Sequence, residues 1–166
     1  DIKLVLNKLH LLSGQQLFLT GLSYDEPRNI FTGEKEGITM DHLAGSLKNV
    51  LLITGIADPS ALLDYLDTYK LSVKHLRFPD HHTYNNRDYE YIIQQYLSLP
   101  EGNRCLLTTE KDAIRLNEIM REEDFADDRL FYLRLNIMFP DKHEESEFNK
   151  LIKDYVKKNR RNGSLS

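Results

Sequence analysis

Four strand-like segments, separated by helical patterns and turns, constrain this chain more than any other feature. Val50-Leu51-Leu52-Ile53-Thr54 is a nearly continuous apolar run, the composition of a strand buried on both faces of a parallel sheet. Gly55-Ile56-Ala57 turns out of it, with Asp58 placed as a helix N-cap and Pro59 as the first helical residue, where a missing N–H costs nothing. Leu62, Leu63, Leu66 and Tyr69 are spaced as the buried stripe of that helix. Residues 73–78 form the next strand. A helix over 87–97 follows, capped by Asn85 or Asn86, with Tyr89, Ile92, Ile93, Tyr96 and Leu97 as its apolar positions. Residues 104–108 make a third strand, after which Thr109 caps a helix and Asp112 completes a box-like Thr-x-x-Asp pattern. Residues 130–135 make a fourth. Strand and helix alternating at this spacing predict right-handed βαβ units, and so a three-layer α/β fold with a mainly parallel sheet flanked by helices.

The flanks read differently. Residues 15–24 are rich in strand formers, Asp25-Glu26-Pro27 is turn chemistry and Asn29-Ile30-Phe31 suits a return strand, which predicts an amino-terminal β-hairpin serving as a connector. Ile2, Val5, Leu6, Leu9 and Leu12 have the spacing of a helix already in progress at Asp1, so the chain is expected to be cut from something longer. A last helix over 144–159 carries Phe148, Leu151, Ile152, Tyr155 and Val156 on one face. Acids stand at its start, and Lys157, Lys158, Arg160 and Arg161 at its end suit the helix dipole or could touch anionic lipid. The expected organisation is therefore the end of a preceding domain plus the connector over 1–40, an α/β domain over 41–160 and a disordered tail over 161–166.

Composition narrows the partners. In 166 residues the net charge is −4, so there is no basic excess of the kind that tracks nucleic acid. Cys105 is the only cysteine and lies in an apolar run, which excludes an internal disulfide and predicts a buried, inert thiol compatible with a reducing compartment. No run approaches the length of a membrane span, and no signal peptide is recognisable.

Two turns carry candidate chemistry. Asp80-His81-His82, behind Phe78-Pro79, lies at the carboxyl end of a strand, where open α/β sheets bind ligands. A carboxylate that orients an imidazole fixes its tautomer and supports proton transfer, and the same residues could contribute to a metal site. A polar turn with Asp80 bonded to backbone accounts for them equally. Thr108-Thr109-Glu110-Lys111-Asp112 also sits where a strand gives way to a helix. Its hydroxyls, free N–H groups and Lys111 could hold a phosphate, and ordinary helix capping explains the same residues. His10, His42, His75 and His143 lack partners at ligand spacing, and no glycine-rich phosphate loop occurs in the chain.

Taken in order, Leu52-Ile53-Thr54-Gly55-Ile56-Ala57-Asp58-Pro59, then Phe78-Pro79-Asp80-His81-His82-Thr83-Tyr84 with Asp88, then Leu107-Thr108-Thr109-Glu110-Lys111-Asp112-Ala113 resemble the tetraacyldisaccharide 4'-kinase family of Gram-negative bacteria. Gln16-Leu17-Phe18-Leu19-Thr20-Gly21 and Tyr24 are similar to the segment joining the two halves of that enzyme. The resemblance implies an ATP-binding transferase of lipid A, and hence lipopolysaccharide, biosynthesis. It would pass the γ-phosphate of ATP to the 4'-hydroxyl of tetraacyldisaccharide 1-phosphate, giving lipid IVA, at the cytoplasmic face of the inner membrane. It implies His81 as the catalytic histidine, with Asp80 beside it, paired with an aspartate of an amino-terminal domain. His82, Thr109, Glu110, Lys111 and Asp112 are candidate substrate or phosphate contacts.

ATP and Mg²⁺ would be held mainly by the amino-terminal phosphate-loop domain, which this chain lacks, so the chain alone is expected to be inactive. No metal site and no nucleic-acid partner are expected in the chain itself. Two other readings are a DHH-type metal-dependent phosphoesterase, whose eponymous motif Asp80-His81-His82 spells, and a non-catalytic α/β ligand-binding module. The first needs further metal ligands on earlier strands, where the chain offers Asp58 and Asp64 without an Asp-x-Asp or His-x-Asp pair.

Overall fold

The computed structural model of the chain describes residues 8–34, 38–125 and 129–163. The helix face read through Ile2, Val5 and Leu6 lies outside them, as do Ser164, Leu165 and Ser166 of the tail. The described residues belong to two compact units, one made of residues 1–23 and 137–166 and one of residues 24–136.

The second unit is a five-stranded sheet in the order β2-β6-β5-β3-β4, formed by β2 (Arg28–Asn29), β3 (Asn49–Thr54), β4 (Ser72–Arg77), β5 (Arg104–Thr109) and β6 (Leu130–Leu133). All neighbours run parallel except β2, which joins the edge antiparallel to β6. Its helices are α1 (Met40–Ser46), α2 (Ser60–Asp67), α3 (Asn86–Leu97) and α4 (Glu110–Leu116).

Alternation along the strands sorts the core into two faces. Val50, Leu52, Cys105, Leu107, Phe131 and Leu133 pack with Met40 and Leu43 of α1 and Leu62 and Leu66 of α2. Leu51, Ile53, Leu76, Leu106 and Leu130 pack with Ile92 and Tyr96 of α3 and Ala113 and Leu116 of α4. This is the three-layer α/β arrangement expected from the sequence, and both faces of β3 and β5 are dry. Burial pushes the Cys105 thiol up to about 12, so it stays protonated and unreactive.

Local departures have local reasons. α1 has no counterpart in the sequence reading, because its seven residues are too short for a clear period; Thr39 caps it by accepting from the His42 N–H. Helix α2 starts at Ser60 with Pro59 at the cap, and Asp58 Oδ1 accepts from the Ser60 N–H and hydroxyl at 2.9 and 2.6 Å. Asn85 is the cap of α3, in a full capping box with Asp88. The run over 130–135 is broken at Arg134 into β6 and β7 (Leu135–Met138), which belong to different sheets. The amino-terminal strand formers give β1 (Gly21–Tyr24) and β2, whose partners are β7 and β6 respectively.

Within the second unit, the Asp25 N–H donates to Arg134 O at 3.0 Å and the Asn136 amide to Asp25 Oδ1 at 2.7 Å. The first unit contains α5 (Lys142–Gly163), whose Phe148 forms an aromatic cluster with Phe18 and Phe139, ring centroids 5.3 to 6.5 Å apart. No helix among the described residues is long and apolar enough to cross a membrane.

One histidine is tied into the sheet. His75 Nε2 lies 2.8 Å from Thr54 Oγ1, and partial burial lowers its pKa below the ordinary value of 6.5. A folded pKa below the unfolded one means that the unfolded chain takes up the proton more readily. The stabilisation is then complete above about pH 6.5 and declines as pH falls through the folded value. Urea midpoints measured from pH 7.5 to 5 should fall with acid, and His75→Gln should flatten part of that slope. Parallel curves for the two proteins would refute the effect.

Candidate functional site

The connections leaving β3 and β5 diverge, since β3 leads through α2 to β4 on one side while β5 lies on the other. Such a switch point opens a crevice at the carboxyl ends of the strands, the usual ligand position in open α/β sheets. Gly55 after β3, the Pro79 to Tyr84 loop after β4 and the Thr109 to Asp112 turn after β5 converge there. All of the sequence's candidate site residues lie in these last two segments.

His81 stands on the loop with φ +59° and a side chain 76% exposed. Left-handed backbone is uncommon outside glycine, though histidine tolerates it better than most residues. The His81 N–H donates to Gly55 O at 3.3 Å and to Asp80 Oδ1 at 3.0 Å, which holds the loop back over β3. Its Nε2 lies 3.6 Å from Asp80 Oδ2. Asp80 Oδ1 also accepts from Lys111 Nζ at 3.0 Å, and that bond holds the carboxyl below the usual carboxylate range. The two candidate motifs, far apart in sequence, thus meet, with Lys111 paired to Asp80.

His82 points the other way. Its ring packs against Phe78 and Tyr84, with centroids 4.9 and 5.0 Å away, and its Nε2 lies 2.9 Å from Asp88 Oδ2. Asp88 is simultaneously the capping-box acid of α3, accepting from the Asn85 N–H at 2.9 Å. His82 therefore anchors the loop to α3.

Thr109 caps α4, its Oγ1 accepting from the Asp112 N–H at 3.1 Å. Glu110 is engaged by Arg134, whose Nε lies 2.8 Å from Glu110 Oε1. Asp112 is fully buried. Around it gather Gly55 N–H, the Thr109 and Tyr84 hydroxyls and Arg115.

Beside this edge, an apolar cleft of about 240 Å³ is walled by Tyr24, Ile56, Leu62, Leu133 and Leu135, with Thr109, Glu110 and Lys111 at its margin. Among the described residues no three His, Cys, Asp or Glu side chains come together as metal ligands. The ligand set that a DHH-type phosphoesterase requires is not found among them.

A family model for tetraacyldisaccharide-1-P 4'-kinase matches residues 16–157. The chain belongs to this family. Among its relatives, the tetraacyldisaccharide 4'-kinase of Phocaeicola vulgatus is 34% identical over 166 residues, covering all of this chain and 44% of that protein. The protein of the same name from Bacteroides thetaiotaomicron is 31% identical, covering all of this chain and 45% of its own length. That of Flavobacterium johnsoniae is 32% identical over 152 residues, covering 92% of this chain and 39% of the relative. The chain thus spans less than half the length of these kinases. No solved structure gives a significant match to it.

Residues that sequence reasoning passed over include Arg115 and Arg134. Only the three-residue spacing of Arg115 from Asp112 on one helix could have signalled the first. Gly55 gains its meaning from the structure: a Cβ there would lie 2.9 Å from Asp112 Oδ1, 3.1 Å from the Tyr84 hydroxyl and 3.3 Å from Pro79 O. Gly55→Ala should therefore destabilise by about 1–3 kcal/mol, the ordinary cost of overpacking. An unfolding midpoint equal to that of the wild type would show that the loops yield.

Proposed function

We propose that the full-length protein transfers the γ-phosphate of ATP to the 4'-hydroxyl of tetraacyldisaccharide 1-phosphate, a step of lipid A biosynthesis, and that this chain is its carboxyl-terminal part. The observation that carries the reading is the family match over residues 16–157. Its geometric support is an exposed imidazole, His81, beside a carboxylate at the sheet's switch point.

In this reading His81 accepts the proton of the attacking 4'-hydroxyl as that oxygen bonds to the γ-phosphorus and ADP leaves. Asp80, kept ionised by Lys111, sits beside the imidazole and favours the protonated ring as it forms. In this reading the anionic, acylated substrate approaches Lys111 and the neighbouring apolar cleft, which Lys111 helps to line. Mg²⁺ and the nucleotide phosphates are, in this reading, held mainly by the amino-terminal phosphate-loop domain of the full-length protein. Mg²⁺ would supply charge neutralisation on the transferring phosphoryl group. The enzyme would work at the cytoplasmic face of the inner membrane without spanning it.

The test is direct. Purified full-length protein, given Mg-ATP and tetraacyldisaccharide 1-phosphate, should form the 4'-phosphorylated product, and its gene should complement a strain lacking the kinase. The 166-residue chain alone should form none. Absence of product from the full-length protein would overturn the reading, and transfer by the short chain at a comparable rate would overturn the division of labour.

A further inference from the structure

We propose that the buried carboxylate of Asp112 is a positioning residue that, through Gly55, Tyr84 and Arg115, sets the conformation of the Pro79 to Tyr84 loop and so the placement of His81. The catalytic part of this inference rests on the kinase reading above; the part concerning loop conformation does not.

Asp112 has no exposed surface. Withdrawing a carboxylate from water is costly unless it is paired and fully hydrogen-bonded. Capping α4 does not require it to be buried. Thr109 already satisfies the Asp112 N–H, and an acid at this helical position serves the dipole from a solvated surface. Its oxygens are instead used by neighbours outside the helix as well as within it. Oδ2 accepts from the Gly55 N–H at 2.9 Å and the Thr109 hydroxyl at 2.8 Å. Oδ1 accepts from the Tyr84 hydroxyl at 3.3 Å and Arg115 Nη2 at 2.5 Å.

Three of these partners, Gly55, Tyr84 and Arg115, lead to the His81 loop. Gly55 O receives the His81 N–H. Tyr84 closes the loop, and burial, followed by the charge of Asp112, raises its pKa so that the phenol remains a donor. The other arm of the Arg115 guanidinium, Nη1, donates to His82 O at 3.0 Å. Arg115 thus bridges the buried carboxylate and the loop backbone with two nitrogens of one planar group, a geometry that lysine cannot reproduce. His81 itself is held in left-handed backbone, which persists only where the surroundings over-determine it. The Asp112 network supplies that determination from behind while leaving the imidazole free in front.

The experiment uses the full-length protein with Asp112→Asn and Arg115→Lys, each made alone and in a His81→Ala background. Two quantities are read: steady-state transfer from ATP to tetraacyldisaccharide 1-phosphate, and backbone amide exchange of peptides covering residues 79–84 and α3. Each substitution is expected to lower kcat about tenfold or more with KM for both substrates within about twofold. Each should also speed exchange in 79–84 about tenfold while leaving α3 unchanged. In the His81→Ala background the same substitutions should cost almost nothing further, since they act through the missing imidazole. An equal loss in both backgrounds, or wild-type kcat and wild-type exchange in the loop, would overturn the proposal.

If the wild-type enzyme transfers no phosphate, the kinase reading fails and loop exchange alone decides the conformational claim. Should Asp112→Asn not fold, Tyr84→Phe removes one donor to the carboxylate and leaves both charges. Unchanged loop exchange in that variant would equally refute the role.

Discussion

Replacing His81 by alanine in the full-length protein is expected to lower kcat by about 10²- to 10⁴-fold, the range that a positioned general base supplies. KM for ATP should change little, because the reading places the nucleotide elsewhere. Alanine tolerates left-handed backbone less well than histidine does, so His81→Asn is the companion variant: asparagine keeps the backbone preference and removes the imidazole. A similar loss in both isolates the chemistry from the loop's conformation. His82→Ala should cost far less turnover, since its ring nitrogen is held by Asp88 and its face is packed between Phe78 and Tyr84. Equal and mild effects at the two histidines would refute the assignment.

The second large effect is on stability. Phe131 is among the largest fully buried side chains, set in β6 opposite Leu107 of β5 and Asn29 of β2 and packed beneath the α1 and α2 layer. Phe131→Ala should cost about 3–5 kcal/mol through lost transfer energy and the cavity left behind. Domains of this kind are stable by about 5–15 kcal/mol in all, so the variant keeps only part of its margin. With a urea slope of about 2 kcal/mol per molar, the midpoint should drop by roughly 2 M. A drop below about 0.5 M would mean that the layers collapse onto the vacancy, unlike a close-packed interior that relaxes only in part.

The layers were legible because their signal is repeated. The apolar run over 50–54 and the helical stripe after it are a burial pattern, and burial is what a sheet covered on both faces demands. The strand ends fell within a residue of those observed at β3, β4 and β5. What failed to show was short or non-local. Seven residues of α1 give barely two turns, too few for a period to stand out. At the break, the Arg134 guanidinium meets Glu110 at the start of α4 and the Arg134 carbonyl accepts from the Asp25 N–H, partners that no local window contains.

The site divides in the same way. The sequence placed the chemistry-bearing residues on two turns, and chain topology brought those turns together through Lys111 and Asp80. Neighbouring histidines of identical type proved to have opposite surroundings, one solvent-facing on left-handed backbone and one locked onto Asp88. Asp112 looked like any acid in a first helical turn, because nothing in a sequence states that a carboxylate is dry.

The hydrogen bonds that tie Asp25 to Arg134 and Asn136 have a consequence for the chain's modularity. They fasten the first residues of the unit over 24–136 to its last, so this piece starts and finishes at one point in space. A segment with adjoining ends suits closure on itself by a few linking residues or circular permutation, and its cuts here fall in β1 and β7, outside the five-stranded sheet. The same piece holds Asp112, Arg115 and the whole Pro79 to Tyr84 loop, so the contacts that support His81 close within it.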